Sequence, residues 1–505
     1  MNIISESIEV KGMKEVHFSK SKYCSAVQCP KMLWLRNNKS EEFDDSILCD
    51  TVLDNGNDVG DLAMGLFGDY TEVPFSSDLG EMIEKTSELV KAGTSVICEA
   101  SFSYDGCYCA VDILRKVSDG YEIYEVKSST KVKDIFIDDA AYQNWVLKNS
   151  GINVVRVSIV YINNKYVRHG ELDLDQLFVI EDVTEAVDAK FAEVAERIAY
   201  LREYLSQTSE PSDDIGPKCN KPYGCGFWKY CTRSLPSPNV FDLGNERNKW
   251  KFYEKGLISF KDLLKAGVLK EEQKIQAQYE VEEREPYVDR KAIDGFLGKL
   301  SYPLYFLDFE SFQPAVPLYD DSTPYQQIPF QYSLHWIEKE GGELKHTEFL
   351  AYPGGDPRRS LAEQLCRDIP LGVCTTAYNM TFEKTRLKEL ASIYPDLSDH
   401  LLDIRDHIVD LMEPFDKKWY YTRAMKGSYS IKYVLPALYP DDPQLDYHNL
   451  EGVHNGTEAS ATFLAMQNMS GDELEEWRSH LLKYCGLDTY AMVKVWERLC
   501  EVAKC

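Results

Sequence analysis

The chain has 505 residues, enough for about three average domains or for two large ones, and we expect two. Hydrophobic residues make up 44% and aromatic residues 12% of the sequence, which excludes a chain that is mainly disordered. A formal net charge of −27 argues against a general nucleic-acid coat protein or a membrane-surface binder. Any contact with a polyanion therefore needs a locally basic region.

The sequence predicts a soluble, cytoplasmic protein without a membrane partner. It has no apolar stretch long enough to cross a bilayer, and Met1–Lys14 lacks the hydrophobic core of a secretion signal. Its 14 cysteines are spread too irregularly for a disulfide scaffold of this length. In a reducing compartment, clustered cysteines indicate a metal site instead.

The order of predicted elements indicates an α/β fold. Before a Pro/Ser stretch at Ser234–Pro238, strands and helices are predicted at Tyr108–Val117, Tyr121–Ser128, Ile137–Lys148, Asn153–Ile162 and Thr184–Ser206. Beyond this stretch the pattern is short and charged, with helical pieces such as Ser259–Ala266 and Arg290–Leu297. Farther along the chain, the elements predicted are Tyr305–Phe309, Gln331–Ile337 and Asp472–Leu499. We place a first domain at 1–235, a helical connector at 236–300 and a second α/β domain at 301–505.

Two neighbouring predicted strands carry acids and a lysine that can share one face. Asp112 lies in the first strand, and Glu125 and Lys127 lie in the second. Side chains two apart in a strand project from the same face, so Glu125 and Lys127 would face Asp112 if the strands pair. Two carboxylates can hold Mg²⁺ or Mn²⁺, and an ammonium can orient water for attack on phosphate. The same spacing also occurs on solvated strand faces with a salt bridge.

This set resembles the RecB-like branch of the PD-(D/E)XK nucleases, in which a helix containing a glutamine follows the E-x-K strand. The resemblance implies catalytic and metal-binding roles for Asp112 and Glu125, a catalytic role for Lys127, and a supporting role for Gln143. RecB-like nucleases commonly carry a metal-binding histidine early in the domain, after a glycine. The corresponding stretch here, Gly56–Asp61, has none.

Three cysteines stand six residues apart in a turn-rich stretch, at Cys219, Cys225 and Cys231. A closed site of four thiolates needs one more, for which Cys29 is the first candidate and Cys24 the second. Spacing alone accepts zinc or an iron–sulfur cluster. One distant cysteine with three clustered ones around the nuclease motif resembles the iron–sulfur RecB-like nucleases. That resemblance implies a structural [4Fe–4S] cluster.

Both cysteine-bearing segments are locally basic. Residues 16–40 contain no acid, and neither do residues 215–241. Joined by a cluster, they would form a basic patch with aromatic side chains for stacking on unpaired bases. The alternative is a patch that neighbouring acids neutralise. A third acid-free run at 417–440 offers lysines among aromatic residues that could equally belong to the core.

The second domain carries acids at three separated positions. Asp308 and Glu310 end a predicted strand and share a face. Further on, Asn379 and Glu383 lie one helical turn apart, as do Tyr484 and Asp488. Four of these six residues, Asp308, Glu310, Glu383 and Asp488, are carboxylates. Four carboxylates could converge on a pair of divalent ions while a tyrosine orients the attacking water.

These motifs resemble the DnaQ-like 3′–5′ exonucleases of the RNase H-like fold, in the subgroup whose last motif is Y-x-x-x-D. The resemblance implies metal binding by Asp308, Glu310, Glu383 and Asp488 and a catalytic role for Tyr484. The family usually has aspartate where Glu383 stands. The acids that could substitute for Glu383 are Asp403, Asp406 and Asp410.

Together, the motifs favour a metal-dependent nuclease that hydrolyses the phosphodiester bonds of DNA from single-stranded ends, in repair, recombination or defence. The arrangement is similar to that of a bacterial domain without assigned function that often follows a RecB-like nuclease half. The competing hypothesis is a nucleic-acid-binding protein with a structural metal cluster, in which one or both domains lack catalysis.

Overall fold

The computed structural model describes residues 18–47 and 58–504, so Met1–Lys14 and the start of Gly56–Asp61 lie outside the described part of the chain. The chain divides into two compact units. Unit 1 comprises Met1–Ser234 with Pro314–Tyr325, and unit 2 comprises Leu235–Gln313 with Gln326–Cys505. Within the described residues, no helix is both long and apolar enough to span a membrane. Both units combine helices with a sheet, which confirms the predicted α/β class.

Unit 1 is built on a seven-stranded sheet. Its strands are β1 (Phe18–Ser19), β2 (Thr71–Glu72), β3 (Val96–Tyr104), β4 (Cys107–Val117), β5 (Gly120–Lys127), β6 (Val154–Ile162) and β7 (Phe178–Asp182). They lie in the order β2-β3-β4-β5-β6-β7, and β1 pairs with β4. The antiparallel register of β4 and β5 sets Ile113 opposite Tyr124, which brings Asp112 beside Glu125.

The helices of unit 1 cover this sheet. They are α1 (Lys20–Gln28), α2 (Pro30–Asn38), α3 (58–63), α4 (Leu79–Ala92), α5 (Asp134–Asn149), α6 (Leu174–Leu177), α7 (Thr184–Ala189), α8 (Phe191–Leu205) and α9 (Trp228–Thr232). The central helix α5 buries ten of its 16 residues, among them Asp139, Gln143 and Asn144. Buried polar side chains need partners, so this helix must supply a polar site as well as core contacts.

Unit 2 begins with a helical region. It contains α10 (Lys249–Glu254), α11 (Phe260–Ala266), α12 (Glu271–Glu282) and α13 (Arg290–Leu297), with the short strand β8 (Tyr287–Val288) before the last helix. A small apolar core that includes Val240, Phe260 and Leu263 holds this region together. Strand β8 later pairs with β14 (Tyr420–Tyr421), so the helical region is joined to the rest of unit 2 by a two-stranded sheet.

A five-stranded mixed sheet forms the centre of unit 2. Its strands are β9 (Leu304–Phe312), β10 (Ile328–Ile337), β11 (Leu344–Leu350), β12 (Cys374–Ala377) and β13 (Ile408–Asp410). They lie in the order β11-β10-β9-β12-β13, with β9, β10 and β11 antiparallel and β12 and β13 parallel to β9. The central strand β9 therefore carries its side chains into the middle of both faces of the sheet.

Helices pack on both faces of this sheet. They are α14 (Arg358–Asp368), α15 (Thr381–Ile393), α16 (Ser398–Asp406), α17 (Glu413–Asp416), α18 (Ile431–Leu438), α19 (Gly456–Ala465) and α20 (Gly471–Lys504). One face of β9 places Leu307 and Phe309 in a core with helices α14 to α16. Because strand side chains alternate, Asp308 and Glu310 project from the other face, where α20 crosses.

Candidate active site and cysteine centre

Three carboxylates converge where α20 crosses β9. One carboxylate oxygen each from Asp308, Glu310 and Asp488 lies within 4.8 Å of the others. The first two share a face of β9 because they stand two residues apart, and the third comes from a helix nearly 180 residues later. Carboxylate oxygens are the ligands that Mg²⁺ and Mn²⁺ prefer, so the donor set fits a hard divalent cation.

Buried polar contacts fix α20 on the sheet. The Gln331 side chain donates a 2.9 Å hydrogen bond to the carbonyl of Leu481, and Arg478 donates to the carbonyls of Leu350 and Ala351. These contacts lie about two to three turns from Asp488 and set the rotation of the helix. The side chain of Asp488 therefore points toward β9.

A second set of contacts acts at the helix turn of Asp488. The hydroxyl of Thr489 lies 2.7 Å from that of Ser333 and 2.8 Å from Nδ1 of His335. Ser333 is also the direct cross-strand neighbour of Asp308. Thr489 follows Asp488 in the chain, and Ser333 pairs with Asp308 across the strands. The hydrogen bond between these two hydroxyls therefore fixes the positions of the two acids relative to each other.

Burial raises the pKa of each carboxyl in this cluster, and repulsion from neighbouring acids adds to it for Asp308 and Glu310. Burial is the main cause for Asp308 and Glu310, whose pKa values lie well above the ordinary range, and the charge of Asp488 adds to both. Burial raises the pKa of Asp488 to about 6. Like charges close together in a poorly solvated site cannot all ionise without a cation. The cluster is therefore electrostatically incomplete in the absence of a positive ligand.

Two tyrosines complete the carboxylate cluster. Tyr447 donates a 2.6 Å hydrogen bond to Oδ1 of Asp488. The buried Tyr484 lies one helical turn before Asp488, and its ring centroid is 6.1 Å from that of Tyr447. The sequence motif predicts Tyr484 but gives no signal for Tyr447, which begins a short 3-10 helix 41 residues from its partner.

Glu383 lies close to this cluster but outside the set of three. It is 2% exposed on the first turn of α15, and its charge contributes to the raised pKa values of Asp308 and Glu310. Burial raises the pKa of Glu383 itself to about 8. Among the described residues, none makes a hydrogen bond to its buried Oε2 atom. One oxygen of Glu383 is thus available for a ligand.

The other acids suggested for this position have different roles. Asp410 accepts hydrogen bonds of 3.0 Å from the backbone amides of Asn379 and Met412 and so fixes the turn that starts α15. Asp403 accepts a 2.7 Å bond from the amide of Gly372. Asp406 is exposed and pairs with Arg405. Of the four acids, Glu383 is the one whose charge reaches the cluster.

The third acid-free run has a mixed outcome. Tyr420 and Tyr421 are buried in unit 2, which supports the core interpretation for them, whereas Tyr433 is 48% exposed. Lys432 is exposed on α18, and its positive charge lowers the pKa values of Glu310 and Asp488. Lys432 is therefore the residue of this run whose positive charge acts on the carboxylate cluster.

The predicted set of unit 1 also converges. Glu125 accepts hydrogen bonds from Lys127 at 2.6 Å and from Gln143 at 2.6 Å, one at each carboxylate oxygen. Asp112 lies beside it and accepts a 2.6 Å bond from the backbone amide of Val126. All four predicted residues thus belong to one network.

Two further residues enter this network that the motif does not predict. Lys20, from α1, donates a 2.8 Å hydrogen bond to Oε1 of Glu125, and its ammonium lies 3.9 Å from Asp112. Asp139 accepts a 2.5 Å bond from Lys127. Its position four residues before Gln143 on α5 is a helical-spacing signal that could have been used. Lys20 gives no such signal, because 105 residues separate it from Glu125.

The charges of this network perturb its carboxyls in opposite directions. Burial, with the charge of Glu125, raises the pKa of Asp112 to about 7. Burial opposes ionisation of Glu125 too, but Lys127 and Lys20 outweigh it and hold the pKa of Glu125 well below its usual range. The negative charge of Glu125 is therefore already compensated by two ammonium groups.

The four predicted cysteines come together at the edge of unit 1. Cys29, Cys225 and Cys231 share one apolar cluster, and the amide of Cys225 bonds to the carbonyl of Cys219 at 3.0 Å. Burial raises the pKa of Cys225 to about 11, and the other three thiols raise it further. All four are free thiols, so the donor set fits a closed four-thiolate site.

The alternative ligand Cys24 faces a different site. Burial raises the pKa of its thiol, and the charged groups that act on it are Asp139, Lys127, Lys20 and Glu125. It therefore borders the acid and lysine network rather than the cysteine centre. Of the two candidates for the fourth ligand, the structure brings Cys29 to the other three.

Hydrogen bonds from side chains to backbone carbonyls join the two sequence segments of the cysteine centre. The side chain of Gln28 donates hydrogen bonds of 2.8 Å to the carbonyls of Lys218 and Tyr223. The indole of Trp34 donates to the carbonyl of Gln207 at 2.9 Å. Because these contacts flank Cys29, the helices α1 and α2 are held against the stretch that carries the later cysteines.

The basic residues of these segments are largely paired with acids. Glu210 forms ion pairs with Lys31 at 3.1 Å and with Lys39 at 3.0 Å. Asp44 pairs with Lys229 at 2.7 Å. The alternative of a patch neutralised by neighbouring acids thus holds for these three lysines, and charge at the cysteine centre is weak support for nucleic-acid binding.

Comparisons with known proteins match parts of the chain. Residues 305–430 match a family model described as a domain of unknown function (DUF2779). The chain is 28% identical over 233 residues to the uncharacterized protein UU173 of Ureaplasma parvum, covering 40% of this chain and 32% of that protein. It is 25% identical over 218 residues to the uncharacterized protein MG366 of Mycoplasma genitalium, covering 39% and 32%. The chain thus spans about a third of the length of these relatives.

Proposed function

We propose that the protein is a metal-dependent nuclease that hydrolyses the phosphodiester bonds of DNA from single-stranded ends in the cytoplasm, with its reaction centre in unit 2. The convergence of Asp308, Glu310 and Asp488 carries this proposal. Three converging carboxylates with raised pKa values form a site that favours a multivalent cation over sodium or water. Repair, recombination and defence all use such an activity.

In this proposal, Asp308, Glu310 and Asp488 hold Mg²⁺ or Mn²⁺, and Glu383 supplies an oxygen for a second ion. When bound, such ions polarise the phosphate and stabilise the attacking and leaving oxygens. Tyr484 orients the attacking water. Tyr447 fixes the orientation of Asp488 through its hydrogen bond.

The architecture of unit 2 supports a DnaQ-like exonuclease of the RNase H-like fold. The first acidic motif lies on the central strand of a mixed sheet, and the Y-x-x-x-D motif lies on the helix that crosses it. Placement of both motifs at one point is what the resemblance requires. The departure at Glu383 remains compatible, because the side chain is buried beside the cluster.

Unit 1 is proposed to be a PD-(D/E)XK nuclease-like domain with a structural cluster. Cys29, Cys219, Cys225 and Cys231 would hold a [4Fe–4S] cluster, or Zn²⁺ as the alternative, and would tie the start of the unit to its end. Thiolates are the required ligand form, so binding of either metal expels the protons that the raised pKa values of Cys219, Cys225 and Cys231 otherwise retain.

For unit 1 alone, a specific observation favours the competing hypothesis of binding without cleavage. Asp112 and Glu125 already contact Lys20, and Glu125 also contacts Lys127. With both ammonium groups in place, the pair does not fit a divalent cation. In this second candidate function, unit 1 retains the strand while unit 2 cleaves it.

The proposal is tested with anaerobically purified protein and end-labelled single-stranded DNA, double-stranded DNA and RNA, each with Mn²⁺ or EDTA. We expect Mn²⁺-dependent shortening of single-stranded DNA that Asp308→Asn abolishes. The matched control is Asp406→Asn, which changes an exposed acid of the same unit. Retention of the strand without cleavage, regardless of metal, would overturn the nuclease proposal in favour of the binding protein.

A further inference from the structure

We propose that the ammonium of Lys20 occupies the cation position between Asp112 and Glu125, so that unit 1 holds its own nuclease motif in a metal-free, latched state. The inference concerns unit 1 and goes beyond the proposed activity of unit 2. A side chain of the protein would thus take the place of a cofactor.

The first support is the position of the ammonium group. Nζ of Lys20 lies 2.8 Å from Oε1 of Glu125 and 3.9 Å from Oδ1 of Asp112. These are the two carboxylates of the nuclease motif. Glu125 is 1% exposed, so few other cations could approach its oxygens while Lys20 is present.

A divalent cation and the Lys20 ammonium exclude each other. Mg²⁺ binds carboxylate oxygens at about 2.0–2.1 Å, and a cation that reached Asp112 and Glu125 would lie within a few ångströms of Nζ. At such distances a divalent and a monovalent cation repel each other strongly even with an effective dielectric constant of about 20. Lys20 must therefore leave before a metal can bind.

The rest of the network explains why the latched state is stable without a metal ion. Lys127 is held between Glu125 and Asp139, and Gln143 satisfies the remaining oxygen of Glu125. The two ammonium groups and the amide thus meet the hydrogen-bonding needs of the buried carboxylate. No metal is needed to compensate its charge.

The backbone at Lys20 is fixed, whereas its side chain can swing. Phe18 and Ser19 pair with β4, the hydroxyl of Tyr142 donates a 2.8 Å bond to the carbonyl of Phe18, and Ser19 caps α1. Lys20 is the first residue of this helix, and its side chain is 28% exposed. Rotation about its four-carbon stem would open the site without moving the fold.

The first test measures Mn²⁺ binding by calorimetry and by the electron paramagnetic resonance of free Mn²⁺. Both use the full chain carrying Asp308→Asn, which removes the unit 2 site, so failure of this inference is distinguishable from failure of the proposed function. We expect Lys20→Met to bind one Mn²⁺ ion at least about tenfold more tightly than the same chain with Lys20 in place, a difference of about 1.4 kcal/mol. Adding Asp112→Asn should remove that site again.

The matched control is Lys22→Met, which removes an exposed ammonium two residues away. It should leave Mn²⁺ binding unchanged. Unchanged or weaker binding in Lys20→Met would overturn the proposal, because Lys20 would then not compete with the metal.

A second test needs no substitution at Lys20 and decides the matter if that variant fails to fold. Amine acetylation of the chain carrying Asp308→Asn is followed by mass spectrometry, with and without Mn²⁺. We expect Lys20 to be modified at least about tenfold more slowly than Lys22 without metal, because its ammonium is part-buried and paired with the buried Glu125. Saturating Mn²⁺ should raise the rate at Lys20 and not at Lys22. Equal rates for the two lysines without metal, or a Lys20 rate that ignores Mn²⁺, would contradict the latch.

Discussion

Tyr447 donates a 2.6 Å hydrogen bond to Asp488, the acid that α20 contributes to the carboxylate cluster of unit 2. The tyrosine is 8% exposed and comes from a segment that belongs to neither the sheet nor α20. A hydrogen bond of this kind fixes the direction in which a carboxylate presents its second oxygen. It couples a short 3-10 helix to the geometry of the proposed metal site.

The Tyr447→Phe variant removes this bond and keeps the ring. We expect cleavage to fall by about tenfold and the Mn²⁺ concentration for half-maximal activity to rise, as is typical when the partner of a metal ligand is lost. The measurement is the initial rate of strand shortening over a Mn²⁺ series. Tyr433→Phe, which changes an exposed tyrosine of the same unit, serves as the control. An unchanged Mn²⁺ dependence in Tyr447→Phe would contradict the orienting role.

The Asp308→Asn variant should lose more than about a hundredfold in activity and yet stabilise the metal-free protein. The raised pKa of Asp308 means that the folded state keeps a proton which the unfolded state releases. Stability from this group is therefore lost as the pH rises from the ordinary aspartate value toward the raised one. In EDTA, the variant should melt above the wild type at pH 8 and equal to it at low pH.

Mn²⁺ should reverse that order. Binding to the three acids stabilises only a chain that retains them, so wild-type protein should gain melting temperature with Mn²⁺ and Asp308→Asn should not. Differential scanning fluorimetry at pH 8 measures both effects. A variant that melts below the wild type in EDTA would show that Asp308 is ionised and compensated in the metal-free fold.

Metal binding to unit 2 should release protons. Because the pKa of Asp488 is about 6 and those of Asp308 and Glu310 are also raised, some of these carboxyls are protonated near neutrality. A bound cation favours the ionised form, so affinity should rise with pH until the raised pKa values are passed. Calorimetric titration of Mn²⁺ in two buffers with different ionisation enthalpies counts the protons. A heat independent of the buffer would contradict the prediction.

The Glu383→Gln variant should separate the two proposed ions. Glu383 lies outside the group of three close oxygens, so the tighter Mn²⁺ site should persist while a weaker site and the cleavage rate are reduced. Calorimetry gives the number of sites and end-labelled DNA gives the rate. Glu389→Gln on the same helix, a partly exposed acid that pairs with Arg386, is the control. Loss of all Mn²⁺ binding in Glu383→Gln would assign Glu383 to the first ion instead.

The Cys225→Ser variant should destabilise unit 1 and lose its metal. Removal of one of four thiolates leaves an open site, so iron, sulfide and visible absorbance should fall together if a [4Fe–4S] cluster is present. A colourless wild-type protein that contains zinc would instead support the alternative metal, because closed-shell Zn²⁺ has no visible transitions. The control is Cys366→Ser, a partly buried free thiol of unit 2.

Local patterns in the sequence predicted most elements near the sites. The predicted strand Tyr121–Ser128 is β5 at Gly120–Lys127, and the helix Arg290–Leu297 is found with the same bounds. The strand predicted at Gln331–Ile337 begins earlier, at Ile328. Its extension contains Pro329, which sits beside a register shift, and a proline that cannot donate to a sheet ordinarily argues against a strand.

The prediction of one long continuous helix was wrong. Thr184–Ser206 is predicted as a single helix, whereas the structure has α7 and α8 with a break at Lys190. Both helices bury apolar residues at compatible spacing, among them Val187, Val194 and Ile198. A periodic apolar pattern predicts which face of a helix is buried, but it does not predict a break of one residue between two helices.

The acids of the candidate sites were accessible to sequence reasoning because they stand at fixed spacings within single elements. Asp308 and Glu310 share a strand face, and Tyr484 and Asp488 share a helix face. Tyr447 and Lys20 were missed because their partners are 41 and 105 residues away. Such contacts depend on tertiary packing and leave no periodic pattern in the chain.

The separation of the cysteines has a consequence for synthesis in the cell. Cys29 leaves the ribosome about 190 residues before Cys219, yet the helices that flank it are held by the carbonyls of Gln207, Lys218 and Tyr223. Because domains fold as their chain emerges, α1 can pack on β4 and α5 early, whereas the contacts with Gln207, Lys218 and Tyr223 form only after that stretch has been made. A metal cofactor held by all four cysteines would then be inserted only after translation has passed Cys231.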